Sequence, residues 1–123
     1  MKRYFKSFRY AVDGIWAALK TERNLRIHVV LSLVAIGLGI FLGLPVVKWC
    51  LVIFAIGFVL AAELFNTAIE RLGDEAAEGK QKSTIKTAKD AAAGGVLISA
   101  IAALIIGIII LIVPLVEKII NNR

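Results

Sequence analysis

Glu63-Leu64-Phe65-Asn66-Thr67-Ala68-Ile69-Glu70 closes a long apolar run that begins at Trp49. Two carboxylates therefore stand at or near the end of a segment long enough to cross a bilayer. A carboxylate within a span costs about 2.5–3.5 kcal/mol on insertion scales, so a pair of them implies a use. An α-helix turns about 100° per residue, which brings positions 63, 66, 67 and 70 onto one stripe, joined by 74 if the helix continues. That stripe reads Glu, Asn, Thr, Glu, Asp, residue types that hold a metal or a phosphate-bound cation, or accept a proton. Leu64, Phe65, Ala68, Ile69 and Leu72 fall on the opposite side and suit lipid or a neighbouring helix. The alternative is a polar helix end dipping into water, its acids neutralised by Arg71 and nearby lysines. It accounts for Asp74 and Glu75 and leaves Glu63 unexplained.

Working outward, the rest of the chain supports a membrane setting. Of its 123 residues 59% are hydrophobic, above the roughly half expected of a soluble domain. The excess lies in three runs, Ile27 to Val47, Trp49 to Leu72 and Ala91 to Val116. Each reaches the ~20 residues that cross a ~30 Å hydrocarbon core. The expected fold is an all-α membrane protein forming a single domain over 1–123. It has a surface helix over 1–26, transmembrane helices over 27–47, 49–72 and 91–116, and a cytoplasmic loop over 73–88. Lone Cys50 excludes an internal disulfide and a multi-cysteine metal site. Lone His28 opens the first span and reads as a headgroup-level residue rather than a ligand.

The net charge of +6 is informative in its distribution. Lys2, Arg3, Lys6, Arg9, Lys20, Arg23 and Arg26 precede the first span. Lys48 alone lies between the first two. Arg71, Lys80, Lys82, Lys86 and Lys89 lie between the second and third. The positive-inside rule then puts the N-terminus and the 71–90 region in the cytoplasm. Topology and attraction to anionic lipids account for the basic excess, and no nucleic-acid partner is needed. Residues 1–26 do not read as a signal peptide, because the charged region is too long and no small-residue cleavage site follows. Tyr4, Phe5, Phe8, Val12, Ile15, Trp16 and Leu19 instead form an apolar face opposite Lys2, Arg3, Lys6, Arg9 and Asp13. This is the pattern of a helix lying in the membrane interface.

Gly39 and Gly43 form a small-xxx-small pair that reads as packing. Leu44-Pro45 makes a short turn, and Trp49 suits an interfacial anchor. From Trp49 to Glu63 is about 21 Å of helix, which puts Glu63 in the cytoplasmic leaflet near the headgroups. Gly73 and Gly79-Lys80 fail as a phosphate-binding loop, since five residues separate the glycines and Gln81 follows the lysine. Lys89-Asp90 opens the third run ahead of Ala91, Ala92, Ala93, Gly94 and Gly95, a pattern suited to close helix contact or a bound phosphate.

Taken together, these residues resemble the small bacterial integral-membrane lipid kinases, the diacylglycerol kinase and undecaprenol kinase family. The resemblance rests on Glu22-Arg23-Asn24-Leu25-Arg26-Ile27-His28, on the Glu63–Glu70 block with Asp74, and on Ala88-Lys89-Asp90. It implies three transmembrane helices and a surface helix, assembled as a homotrimer in the bacterial cytoplasmic (inner) membrane. It also implies ATP-dependent phosphorylation of a membrane lipid alcohol. Glu63 would be the catalytic base at the lipid hydroxyl, and Glu22 and Glu70 would bind the Mg²⁺ that accompanies ATP. Asn66, Asp74, Lys89 and Asp90 would position the nucleotide, with Arg3 and Tyr10 touching nucleotide or lipid. The best-known diacylglycerol kinases read Lys-Asp-Met-Gly-Ser-Ala-Ala where this chain reads Lys89-Asp90-Ala91-Ala92-Ala93-Gly94-Gly95, so a serine contact is absent. The Glu22–His28 stretch looks more like the Gram-positive branch, whose members often prefer undecaprenol. Two other classes fit parts of the pattern. One is a small proton-coupled transporter using Glu63, and the other a non-catalytic membrane adapter using the basic surface helix. The clustering of acids at one end of a span, facing Lys89-Asp90, disfavours the transporter.

Overall fold

A computed structural model describes residues 2–122. Its elements are α1 (Lys2–Thr21), α2 (Arg23–Leu42), α3 (Val46–Ala77), α4 (Ser83–Gly107), a π-helical turn (Ile108–Ile112) and α5 (Val113–Asn121). The last three run on as one rod, Ser83–Asn121. Three helices are thus long and apolar enough to cross a membrane, Arg23–Leu42, Val46–Ala77 and Ser83–Asn121. The chain is an all-α, multi-pass membrane protein.

The outward-facing residues give the same answer. Among the described residues the buried apolar set is Ala18, Leu25, Val52, Val59, Ile110 and Leu111. Phe41, Phe54, Phe58, Phe65, Leu97 and Ile98 are all exposed. An apolar exterior of this extent has no place in water and suits a surrounding of lipid or other subunits. A core cluster, Val52 with Ile110 and Leu111, draws in Leu38, Leu42, Leu44 and Ile56 at the end of the bundle nearest the α2–α3 turn. The acidic stripe lies at the other end.

That turn is built from Gly43 and Pro45. Gly43 adopts a left-handed conformation (φ 64°), and the Leu44 N–H reaches the Gly39 carbonyl at 3.2 Å, satisfying an end-of-helix acceptor. Pro45 then starts α3 with its fixed φ of −68°. The expected glycine pair divides its work. Gly43 caps the helix, and Gly39 makes room for Trp49, whose ring end would lie 2.7 Å from an added Cβ. Trp49 is therefore half-buried against α2 as well as near an end of the span. On the third rod, Pro114 has no N–H and would clash with a carbonyl one turn back. The turn ahead of it widens, and the Val113 N–H bonds the Ile108 carbonyl five residues earlier. Lys118 on α5 lies 4.5 Å from the Phe41 ring centroid and donates to the Phe41 carbonyl at 3.5 Å, fastening the end of α2.

The polar segments are more helical than expected. The surface helix ends at Thr21, and α2 starts at Arg23 instead of at residue 27, because Glu22 is extended (φ −104°, ψ 110°) and breaks the rod. Arg26 closes that corner by donating to the Lys20 and Leu19 carbonyls at 3.0 and 3.4 Å. The loop expected over 73–88 shrinks to residues 78–82. Nothing before Glu78 obliges the helix to stop, since charged side chains on a solvated turn are compatible with helix. The chain reverses only where Glu78 (φ 51°) and Gly79 (φ 76°) take left-handed conformations. Lys82 Nζ caps the end of α3 at the Ala76 carbonyl, 3.1 Å away. At about 1.5 Å per residue, α3 is about 48 Å long and outruns a ~30 Å hydrocarbon core by several turns.

Candidate active site

The expected stripe forms along the second half of α3, graded from buried to exposed. Glu63 is 3% exposed and Thr67 6%, Asn66 and Glu70 are half-buried, and Asp74 is exposed. The gradient follows the helix as it leaves the bundle. Thr67 donates its hydroxyl to the Glu63 backbone carbonyl at 2.9 Å, so it does not compete for the Glu63 carboxylate.

Glu63 has a partner that its sequence neighbours do not reveal. His28 Nε2 on α2 lies 3.3 Å from Glu63 Oε1, with the His28 side chain 23% exposed and that of Glu63 4%. This contact adds a neighbour to the headgroup-level histidine that the sequence suggested. The cause is the tight Gly43–Pro45 turn. His28 stands fourteen residues before Leu42 and Glu63 seventeen beyond Val46, so an antiparallel hairpin brings them to similar depth.

His28 also stands at the edge of an apolar groove of about 440 Å³ between α2, α3 and α4. Ser32, Leu38, Val52, Val59 and Leu111 are among its other walls. A second hollow of about 330 Å³ lies between α3 and α4 beside Asn66, Ala92, Gly95 and Ser99. The Asn66 side-chain oxygen is buried with no hydrogen-bond partner among the described residues. An unsatisfied buried acceptor costs about 1–3 kcal/mol, which points to a donor from a bound species.

Two cation–carboxylate pairs flank Glu70. On one side Arg71 Nη2 lies 3.8 Å from Glu22 Oε1 and also donates to the Thr21 hydroxyl, tying the α1–α2 corner to α3. On the other, Lys89 Nζ on α4 meets Asp74 Oδ1 at 2.5 Å. Gly73 permits this approach, since its added Cβ would lie 3.2 Å from Ile85 and 3.4 Å from the Lys89 stem. Lys89 lies ahead of the apolar run that starts at Ala91, outside the spanning stretch. The hydrogen bond to Asp74 holds its ammonium above the ordinary lysine value, with the charges of Asp74 and Glu70 adding to the effect and partial burial opposing it. Lys86, one turn earlier, is likewise raised by its hydrogen bond to Asp90, at 2.6 Å. Among the described residues Glu70 itself has no cation within 4.0 Å.

The structure thus gathers Glu22, Glu63, Asn66, Glu70, Asp74 and Lys89 at one end of the bundle, with Asp90 one helical step from Lys89. It does not bring in Arg3 or Tyr10. Both are exposed on α1, and among the described residues neither bonds to the acidic stripe. No group of three or more His, Cys, Asp or Glu side chains forms a ready metal cage among the described residues.

The chain is thus an all-α membrane protein with a carboxylate-rich cluster at one end of its bundle and an apolar groove beside it. Residues 9–111 match the family model of prokaryotic diacylglycerol kinase. The chain belongs to that family and is a lipid kinase. It is 38% identical over 110 residues to an undecaprenol kinase of Bacillus subtilis (strain 168), covering 89% of each chain. It is 38% identical over 109 residues to a diacylglycerol kinase of Synechocystis sp., covering 89% of this chain and 62% of the relative. A diacylglycerol kinase of Haemophilus influenzae is 31% identical over 103 residues, 84% of each chain.

Proposed function

We propose that the protein transfers the terminal phosphoryl group of Mg²⁺-bound ATP to a membrane lipid alcohol, undecaprenol or diacylglycerol, at the cytoplasmic face of the bacterial inner membrane. The observation that carries this reading is the burial of Glu63 beside the edge of an apolar groove, with Glu70 two turns further along the same helix toward solvent. One carboxylate meets an oily substrate and the other meets water.

The lipid chain would lie in the groove with its hydroxyl at Glu63. As the hydroxyl oxygen attacks the terminal phosphorus, Glu63 accepts its proton, the new O–P bond forms, and the bond to the leaving ADP oxygen breaks. Phosphoryl transfer demands positioning and charge neutralisation above all. Lys89, held protonated by Asp74, supplies positive charge near the phosphates, and Asp74 and Asp90 set the reach of the two lysines beside them. Glu22 and Glu70 would hold the magnesium. Magnesium takes one or two carboxylates and completes its shell with phosphate oxygens and water, a demand that these two side chains could meet. The donor-less Asn66 oxygen fits too, because water on a metal is a donor. When bound, the ion offsets the charge that develops on the phosphates.

The aromatic face of α1 and the basic face opposite it support contact with anionic lipid at the interface, and the charge distribution supports a cytoplasmic N-terminus. Arg3 and Tyr10, remote from the stripe within one chain, would reach nucleotide or lipid through a homotrimer in which subunits share sites. The test is purified protein with terminally labelled ATP, offered undecaprenol and diacylglycerol side by side with and without a chelator. Label should enter the lipid phase only with Mg²⁺ present. Absence of label from both lipids would overturn the reading, whereas ATP-independent proton flux in vesicles would favour the transporter.

A further inference from the structure

The Glu63 carboxylate can accept about four hydrogen bonds, yet among the described residues its nearest polar side chain is the His28 imidazole, whose Nε2 lies 3.3 Å from Oε1. The nearby hydroxyls are otherwise engaged. Thr67 bonds the Glu63 backbone at 2.9 Å, and Ser32 bonds the His28 backbone at 2.7 Å. The orientation of a buried carboxylate at the end of a flexible side chain therefore rests on one imidazole.

We propose that His28 is a positioning residue for lipid phosphorylation: its Nε2, 3.3 Å from Oε1 of Glu63, steadies that oxygen when substrate is seated and leaves Oε2 for the substrate hydroxyl. The inference rests on the reading of Glu63 as the base. It extends that reading in two ways. A proton acceptor must be held in a near-attack position, and loss of that geometry costs about 10²-fold in rate. The same ring also borders the apolar groove, so a lipid lying there would bring its hydroxyl to Glu63 and His28 together. His28 thus couples the seat of the lipid to the aim of the base.

The test compares His28→Ala, His28→Gln and His28→Phe with Glu63→Gln, in detergent or bicelles, with elution profile as a check on folding. His28→Ala should lower kcat about 10- to 100-fold while the KM for MgATP stays put. Glutamine, whose amide can donate from a similar reach, should restore most of the loss. Phenylalanine, which fills the space without a donor, should not. In the Glu63→Gln background, His28→Ala should change nothing further. If the alanine variant misfolds, the glutamine–phenylalanine comparison decides. His28→Ala turnover within about twofold of the parent, or rescue by phenylalanine equal to that by glutamine, would overturn the proposal. If Glu63→Gln keeps its turnover, the base assignment itself falls. If Glu63→Gln is dead and the His28 variants are normal, only the role of His28 falls.

Discussion

Exchanging Glu63 for glutamine should make the bundle more stable while it stops the reaction. The Glu63 side chain is 4% exposed and faces a single partner, His28, at 3.3 Å. A carboxylate in a span carries a penalty of about 2.5–3.5 kcal/mol, and glutamine removes it with little change of shape. Against that gain, the 3.3 Å contact with His28 passes from a charged to a neutral group, a loss of at most about 1–1.5 kcal/mol. The usual penalty for breaking a buried ion pair does not apply, because no buried charge is left unpaired. The balance is a stabilisation of about 1–2.5 kcal/mol. Reversible unfolding in mixed micelles would read it as a shift of the midpoint, while labelled-ATP assays should show turnover down by about 10²–10⁴-fold. A glutamine variant less stable than the parent would refute the reasoning about an under-compensated charge. Retained turnover would refute the catalytic assignment.

Gly43→Ala forces a Cβ into a left-handed conformation (φ 64°) and should lower unfolding stability by about 1–2 kcal/mol, with activity per folded molecule unchanged. Asp74→Asn should release Lys89 and raise the KM for MgATP about tenfold, with the elution profile of the folded protein unaltered; an unchanged KM would remove Asp74 from the nucleotide site. Glu22→Gln and Glu70→Gln should each raise the Mg²⁺ concentration for half-maximal activity by tenfold or more. An unaltered magnesium requirement in both would deny them the metal.

Much of this architecture was legible because lipid imposes length and composition on helices. The three apolar runs became the three long helices, and Pro45 became the reversal between the first two. The polar stretches were harder. Gly73, Asp74 and Glu75 read as loop, yet they continue α3, because helix on a solvated rim needs no apolar pattern. Gly73 is there to admit Ile85 and Lys89 on the neighbouring helix, a tertiary reason that no local window carries. Glu22 looked like one residue of a continuous surface segment, but its extended backbone ends α1 and frees α2 to start at Arg23. The 63–66–67–70 stripe was legible because it is one helix face, and Asp74 joins it because α3 runs on. The His28–Glu63 pair was not, since its members are 35 residues apart. Counting outward from the Pro45 turn on both helices was the signal that would have found it. The pairing of Lys89 with Asp74, rather than with its neighbour Asp90, likewise depends on how α3 and α4 lie together.

The most direct measurement of the central claim uses membrane sidedness. Sealed inverted vesicles and right-side-out vesicles, each containing the protein and its lipid alcohol, would be given terminally labelled MgATP on the outside only. Glu63→Gln vesicles would serve as the blank. The expected result is labelled lipid in inverted vesicles at once, and in right-side-out vesicles only after permeabilisation. Labelling of intact right-side-out vesicles, or none in either orientation, would contradict a site that joins cytoplasmic MgATP to a lipid hydroxyl at Glu63.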